Sequence, residues 1–243
     1  MMPAILTGET PVLLLCDHAS NHVPNDIDLG IAPDLLDRHI GVDIGAGPLT
    51  RALAAELSAP AVLGTVSRLV IDLHREPDHP GLIPVESDGH TIPGNVGTDR
   101  AARIARFYAP YHRAIRNVVA RIRPQLIVAI HSFTPRLEAG DGIDRPWHVG
   151  ILSNRDRRAA DVALASLSAR TSLTTGDNAP YSGRQLNLTL NRHAEARGIP
   201  SFSVEVRNDL IRDDAGVCDW THIIAETIDA VRNSLAQRVP VAT

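Results

Sequence analysis

Three short apolar runs in this chain end on residues that metal-assisted hydrolysis uses. Val12-Leu13-Leu14-Leu15 leads into Asp17-His18, Leu126-Ile127-Val128-Ala129-Ile130 into His131-Ser132, and Ser203-Val204 into Glu205-Val206-Arg207. A catalytic zinc takes three protein ligands and keeps one open position. Two histidines and a glutamate from distant parts of the chain suit that need if the fold brings them together. His18 has further candidate ligands in Asn21 and His22, three or four residues on, where one turn can direct both side chains to one ion. Taken singly, each histidine reads more simply as a strand-end residue bonded to backbone; the pairing of two strand ends supports the metal. Glu205 stands between two valines. A buried carboxylate is costly unless paired or near a metal. An ion pair with Arg207 competes with the reading of Glu205 as a general base.

Short apolar runs with polar borders read as buried strands of a largely parallel sheet. Open α/β sheets build their sites at the carboxyl ends of such strands. The strands expected are Val12–Asp17, Ala61–Val66, Arg68–Leu73, Gln125–Ile130, Trp147–Leu152 and Ser201–Val206. Helices are expected near Asp34–His39 and over Gly45–Ser58, the latter from the spacing of Leu49, Leu53, Ala54 and Leu57. Thr98 is expected to cap a helix whose stripe runs from Ile104 to Ile122, kinked or split at Pro110. Further helices are expected over Asp156–Ala169, Gln185–Arg197 and from Asp219 to about Arg238. In the run 68–75, Arg68, Asp72 and His74 would share one face by the period of two, with Arg75 just beyond. Residues 76–97 are rich in Pro and Gly and aperiodic, as lids and binding loops often are; Asp78, His79, Glu86, Asp88 and His90 in it can border a pocket. His39, His112, His193 and His222 fall on helical stretches and read as surface or partly buried residues.

Composition narrows the function. A chain of 243 residues with 44% apolar content can bury one sizeable core, and alternating strands and helices predict a single α/β domain over 1–243. Net charge of −4 and 3% aromatic residues argue against nucleic acid. All 24 basic residues are arginine, which excludes a Schiff-base lysine or a P-loop and leaves any substrate carboxylate to a guanidinium fork. Cys16 and Cys218 make no disulfide framework, and Cys16 reads as a small core residue. No signal-peptide pattern or membrane-length apolar run is present, so the expectation is a soluble cytoplasmic protein.

Together these motifs resemble the N-formylglutamate amidohydrolases. The resemblance rests on Asp-His-Ala-Ser-Asn-His at 17–22, Asp43-Ile-Gly-Ala, Ser-Arg-Leu-Val-Ile-Asp at 67–72, His131-Ser-Phe-Thr-Pro, Arg145-Pro-Trp-His-Val-Gly, Gly176-Asp-Asn-Ala-Pro-Tyr and Glu205-Val-Arg-Asn-Asp-Leu. That family is similar in turn to the zinc carboxypeptidases and aspartoacylases. The resemblance implies a zinc-exopeptidase or phosphorylase/hydrolase-like fold, with a mixed, mostly parallel sheet flanked by helices. It implies a divalent metal, zinc, held by His18 and His131, with Glu205 as catalytic carboxylate and Arg68 polarising the scissile carbonyl. Asp72-Leu73-His74-Arg75 matches a stretch whose arginine holds a substrate carboxylate; Ser132, Tyr181, Arg184 and Arg207 join it as candidate substrate contacts. Asn21 occupies the slot of a ligand glutamate, which leaves the middle ligand open among Asn21, His22 and Asp43. The implied partner is a small acidic N-acyl amino acid, with no nucleic acid or membrane. The alternatives are a hydrolase of another N-acyl amino acid or a short peptide and, from another class, a non-catalytic protein binding an acidic ligand.

Overall fold

The computed structural model describes residues 1–139 and 142–237. Its strands are β1 (Ala4–Leu6), β2 (Val12–Cys16), β3 (Ala61–Leu63), β4 (Glu86–Ser87), β5 (His90–Thr91), β6 (Leu126–Phe133), β7 (Val149–Leu152), β8 (Thr175–Asp177) and β9 (Ser201–Arg207). Seven form one sheet in the order β1-β3-β2-β6-β9-β7-β8. β3, β2, β6 and β9 run parallel; β1 is antiparallel to β3, and β7 is antiparallel to β9 with β8 parallel to β7. This is the expected mixed, mostly parallel sheet flanked by helices.

The central strands are buried along their whole length, which is why they read as continuous apolar runs. On one face Leu14, Val128, Ile130 and Val204 pack against α1 (Ala46–Glu56), α4 (Ala160–Ser168) and α6 (Asp214–Gln237) through Leu49, Leu53, Ala163, Ile224 and Ile228. On the other, Leu13, Leu15, Ile127 and Ala129 meet Tyr111, Ile115 and Val118 of α3 (Ala109–Ile122) and Leu190 of α5 (Leu188–His193). Gly45 (φ +79°) turns the chain into α1, and a Cβ there would lie 2.2 Å from the Ile211 carbonyl oxygen.

Pro110 is accommodated by division of its helix. A short α2 (Arg100–Arg103) widens into a π turn over Ile104–Tyr108, and α3 starts with Pro110 in its first turn, where a missing N–H costs least. Asp99, rather than Thr98, caps α2 by accepting from the Ala102 N–H at 3.0 Å. Residues 76–97 contain the β4–β5 hairpin and two single 3₁₀ turns. The last helix starts earlier than expected and is described to Gln237; Arg238, its expected end, lies outside the described residues. β1 and β8 add edge strands that were not foreseen, each three residues long.

The largest correction concerns 68–73, which is a turn and not a strand. The edge of β3 is already occupied by β1, so no ladder is open to it. Side chains and loops satisfy its backbone instead: Asn95 Nδ2 donates to Leu69 O, Arg103 Nη1 to Val70 O, and the Asp72 N–H to Leu82 O.

Candidate active site

His131 and Glu205 are register partners on β6 and β9. The period of two puts His131 on the face of Ile127 and Ala129, the α3 side of the sheet. His18 stands in the turn just after β2. Asp43 comes from the loop ahead of α1, and its N–H donates to the His18 carbonyl at 3.1 Å. The 68–74 turn delivers Arg68, Asp72 and His74 to the same place, by turn geometry and not by strand pleat.

These side chains interlock. The Asp43 Oδ2 lies 2.9 Å from His131 Nδ1 and 3.3 Å from His18 Nδ1. The other ring nitrogen of His18 donates from Nε2 to Asp72 Oδ1 at 2.8 Å. His131 Nε2 faces Asp17 Oδ2 at 3.3 Å, without the angle of a hydrogen bond. Arg68 donates to Asp43 Oδ1 and Asp72 Oδ2, both at 3.0 Å. Asp17 accepts from His74 Nδ1 at 3.0 Å and from Thr189 Oγ1 at 2.8 Å.

Burial opposes ionisation of the carboxylates, but the charges facing them prevail. His18, His131 and Arg68 hold Asp43 well below the usual carboxylate range; His18 and Arg68 do so for Asp72, and His74 and His131 for Asp17. Burial also works against protonation of His18 and His131, yet the adjacent carboxylates raise both. Glu205 is the exception. Burial pushes it up to about 7 against the pull of His131, and its Oε2 has no partner.

The donor set fits a divalent metal. His18, Asp43 and His131 each offer a ligand atom within 4.8 Å of the others, two imidazoles and a carboxylate on the pocket wall. Asp72, behind the far nitrogen of His18, fixes the tautomer and orientation of that ring, while Asp17 faces the far nitrogen of His131 by charge. The carboxylates of Asp17, Asp43 and Asp72 favour a proton on each of His18 and His131, and a divalent cation in place of those two protons leaves the charge of the cluster unchanged. A second grouping, Asp17, His74 and His131, shares His131 with the first, and its Asp17 is fully buried and off the pocket wall.

Not every expected residue joins the cluster. Asn21 is exposed and its amide donates to Asp37 at 2.7 Å; His22 is also exposed. Both stand outside the group, because the chain after His18 leads away to the surface while Asp43 folds back under it. Arg207 pairs with Asp209 and not with Glu205, and Arg184 is exposed. His74, Arg75, Ser132 and Tyr181 line the pocket, with the Arg75 Nε 3.6 Å from Asp72. Ser132 Oγ is turned to the Ile44 carbonyl at 2.8 Å. His39 also lines the pocket and is tied to Asp88 at 2.8 Å. Asp17 and Arg145 stand in the quoted motifs without an assigned role, and Thr189 stands in none. Adjacency to His18 was the one available signal for Asp17, and Thr189 carried none. His112 and His193, expected near the surface, are fully buried and bond each other at 2.9 Å.

The fold agrees with comparisons to known proteins. The crystal structure of the gene product Atu2144 from Agrobacterium tumefaciens superposes with a TM-score of 0.91 at 32% identity, covering 97% of this chain and 96% of that one. An N-formylglutamate amidohydrolase from Ralstonia eutropha JMP134 shares the fold, with a TM-score of 0.72, 18% identity and coverage of 99% and 100%. No curated protein matches the chain in sequence. The model of the N-formylglutamate amidohydrolase family matches residues 10–212, a span that contains every member of the cluster, and the chain belongs to that family.

Proposed function

We propose that this chain, as a single domain over 1–243, is a zinc-dependent amidohydrolase that converts N-formyl-L-glutamate, or a similar N-acyl acidic amino acid, to formate and the free amino acid. The observation that carries the reading is the pairing of the His18–Asp43–His131 group with Glu205, a neighbouring carboxylate with one free oxygen and a proton affinity near neutrality. Family membership supports the reaction type. His18, Asp43, His131 and Glu205 line one partly enclosed pocket, as a site for a small molecule requires.

His18, Asp43 and His131 would hold the ion. When bound, it supplies Lewis acidity that activates water and polarises the formyl carbonyl. Glu205 takes a proton from the attacking water and passes it to the amide nitrogen as the C–N bond breaks. Arg68, fixed by two carboxylates, turns its remaining N–H groups toward the developing oxyanion. Arg75 holds a substrate carboxylate. Asp72 keeps the His18 imidazole oriented, and Asp17 adds negative charge beside His131.

The test pairs formate release from N-formylglutamate with elemental analysis of the purified protein. A divalent metal near one per chain together with formate release is expected. A panel of formyl and acetyl amino acids then ranks the substrates. No formate from any N-formyl acidic amino acid by the metal-loaded protein would overturn the proposal. The alternative of a non-catalytic binder drew its support from Asn21 alone, and Asp43 takes the place that Asn21 left open.

A further inference from the structure

Among the described residues, Arg145 beside the pocket has no carboxylate partner. The structure gives it two hydrogen bonds, both from Nη1, to the Thr134 carbonyl at 3.3 Å and to the Tyr181 hydroxyl at 3.0 Å. Its guanidinium also lies 5.0 Å from the centre of the Tyr181 ring. Arg68, Arg136 and Arg207 are each paired with acids. A half-buried arginine that spends its contact on a phenol has a directional effect. Arg145 can only donate, so the Tyr181 oxygen must accept, and the hydroxyl proton is left to point elsewhere.

That proton has one useful direction. Tyr181 lines the pocket shared by His18, Asp43, His131 and Glu205. Its loop is held in place: Asn178 Oδ1 accepts from the Ser153 and Gly183 N–H groups at 3.2 and 2.8 Å. The Ala179 carbonyl sits where a Cβ on Gly150 or Gly176 would come within 2.1 or 2.6 Å, so the loop seats directly on β7 and β8. Gly150 is the register partner of Glu205. Arg145 starts from the other side, at the exit of β6 beyond His131, where its own N–H bonds the Pro135 carbonyl at 2.8 Å. The Arg145–Tyr181 link therefore ties the flanks of β9 together over the end that bears Glu205.

We infer that Arg145 is a positioning residue that aims the Tyr181 hydroxyl proton into the pocket, making Tyr181 the second holder, beside Arg75, of a substrate with two carboxylates. This rests on the proposed deformylase reading and names its substrate class as N-acyl dicarboxylic amino acids. It also replaces Arg184 and Arg207, which are exposed or already paired, as partners of Arg75.

Equilibrium binding of glutarate and butyrate to the metal-loaded protein separates this inference from the reaction itself. The wild type is expected to prefer glutarate. Tyr181→Phe and Arg145→Met should each weaken glutarate by about tenfold, the size of one hydrogen bond to a charged group, and leave butyrate nearly unchanged. The double variant should be no weaker than Tyr181→Phe alone, since Arg145 acts through that hydroxyl. Arg145→Lys, which can still donate to the phenol, should recover most of the affinity. For N-formylglutamate the loss should fall on KM more than on kcat. A wild type without glutarate preference, additive losses in the double variant, or equal losses for butyrate would overturn the inference. Absence of formate release with an intact glutarate series would instead remove the deformylase reading and leave the carboxylate holder standing.

Discussion

Two groups of buried histidines lie on the same side of the sheet and differ in every electrostatic respect. His18 and His131 are surrounded by Asp17, Asp43 and Asp72, which raise their proton affinity despite burial. His112 and His193 stack at 14° with ring centres 5.2 Å apart, bond each other, and touch no carboxylate; burial lowers them to about 4 and about 3. The His112 Nε2 donates to the Leu73 carbonyl at 3.0 Å, so the pair braces the backbone next to His74. Burial is shared, so it cannot be what makes one group a candidate cation site. Carboxylates around the rings make the difference, by charge at both and, for His18, by fixing which nitrogen faces the pocket.

The largest effects should come from the first group. Glu205→Gln is expected to lower turnover by roughly a hundredfold or more while metal content and fold persist. His131→Ala and Asp43→Asn should lose both activity and bound metal. Unchanged metal stoichiometry in either would break the distinction between the two histidine groups. Asp72→Asn keeps one acceptor oxygen but removes the negative charge behind His18 and one anchor of Arg68. Metal affinity in a chelator competition should drop by about tenfold to a hundredfold, with less effect on folding.

The second group should report on stability and not on metal. The unfolded chain protonates its histidines near pH 6.5, while the folded pair refuses protons until about 4 and about 3. Their folded values are depressed, so stability is full above pH 6.5, falls as pH drops from there toward 4, and levels off below about 3. The slope approaches 1.4 kcal/mol per pH unit for each histidine, about the free energy of one proton. Urea unfolding between pH 7 and 4.5 measures it, and His193→Gln should make the slope shallower. An unchanged slope would mean that the pair is not neutral in the folded protein. The smallest effect is expected from Asn21→Ala, whose one bond is to Asp37 on the surface. Activity and metal content should stay within about twofold of wild type. Loss of metal there would return the middle ligand to the turn after His18.

Much of the frame was legible because it follows from local chemistry. Apolar runs of strand length marked β2, β6 and β9, and the polar residues that stop them are His18, His131 and Glu205. Pro110 announced the division of its helix. The 68–73 run misled because an apolar segment that is buried in a turn has the same composition as one buried in a strand. What separates them is whether a sheet edge is free, and β1 had taken that edge. His112 and His193 misled for a related reason: a helix position says nothing of burial until the partner opposite it is known.

By itself the sequence determined the residue types at the strand ends, the absence of lysine, and a motif order that points to one family. Only the tertiary structure decided which acid stands between His18 and His131. Asp43 is 25 positions from His18 and shares no periodicity with it. It arrives because Gly45 turns the chain into α1 and the Asp43 N–H closes on the His18 carbonyl. The same holds for Asp17 and Asp72 behind the imidazoles and for Arg145 behind Tyr181. Each is a pairing of opposite or complementary groups in a largely buried space, and that space exists only once the sheet and its loops have closed around it.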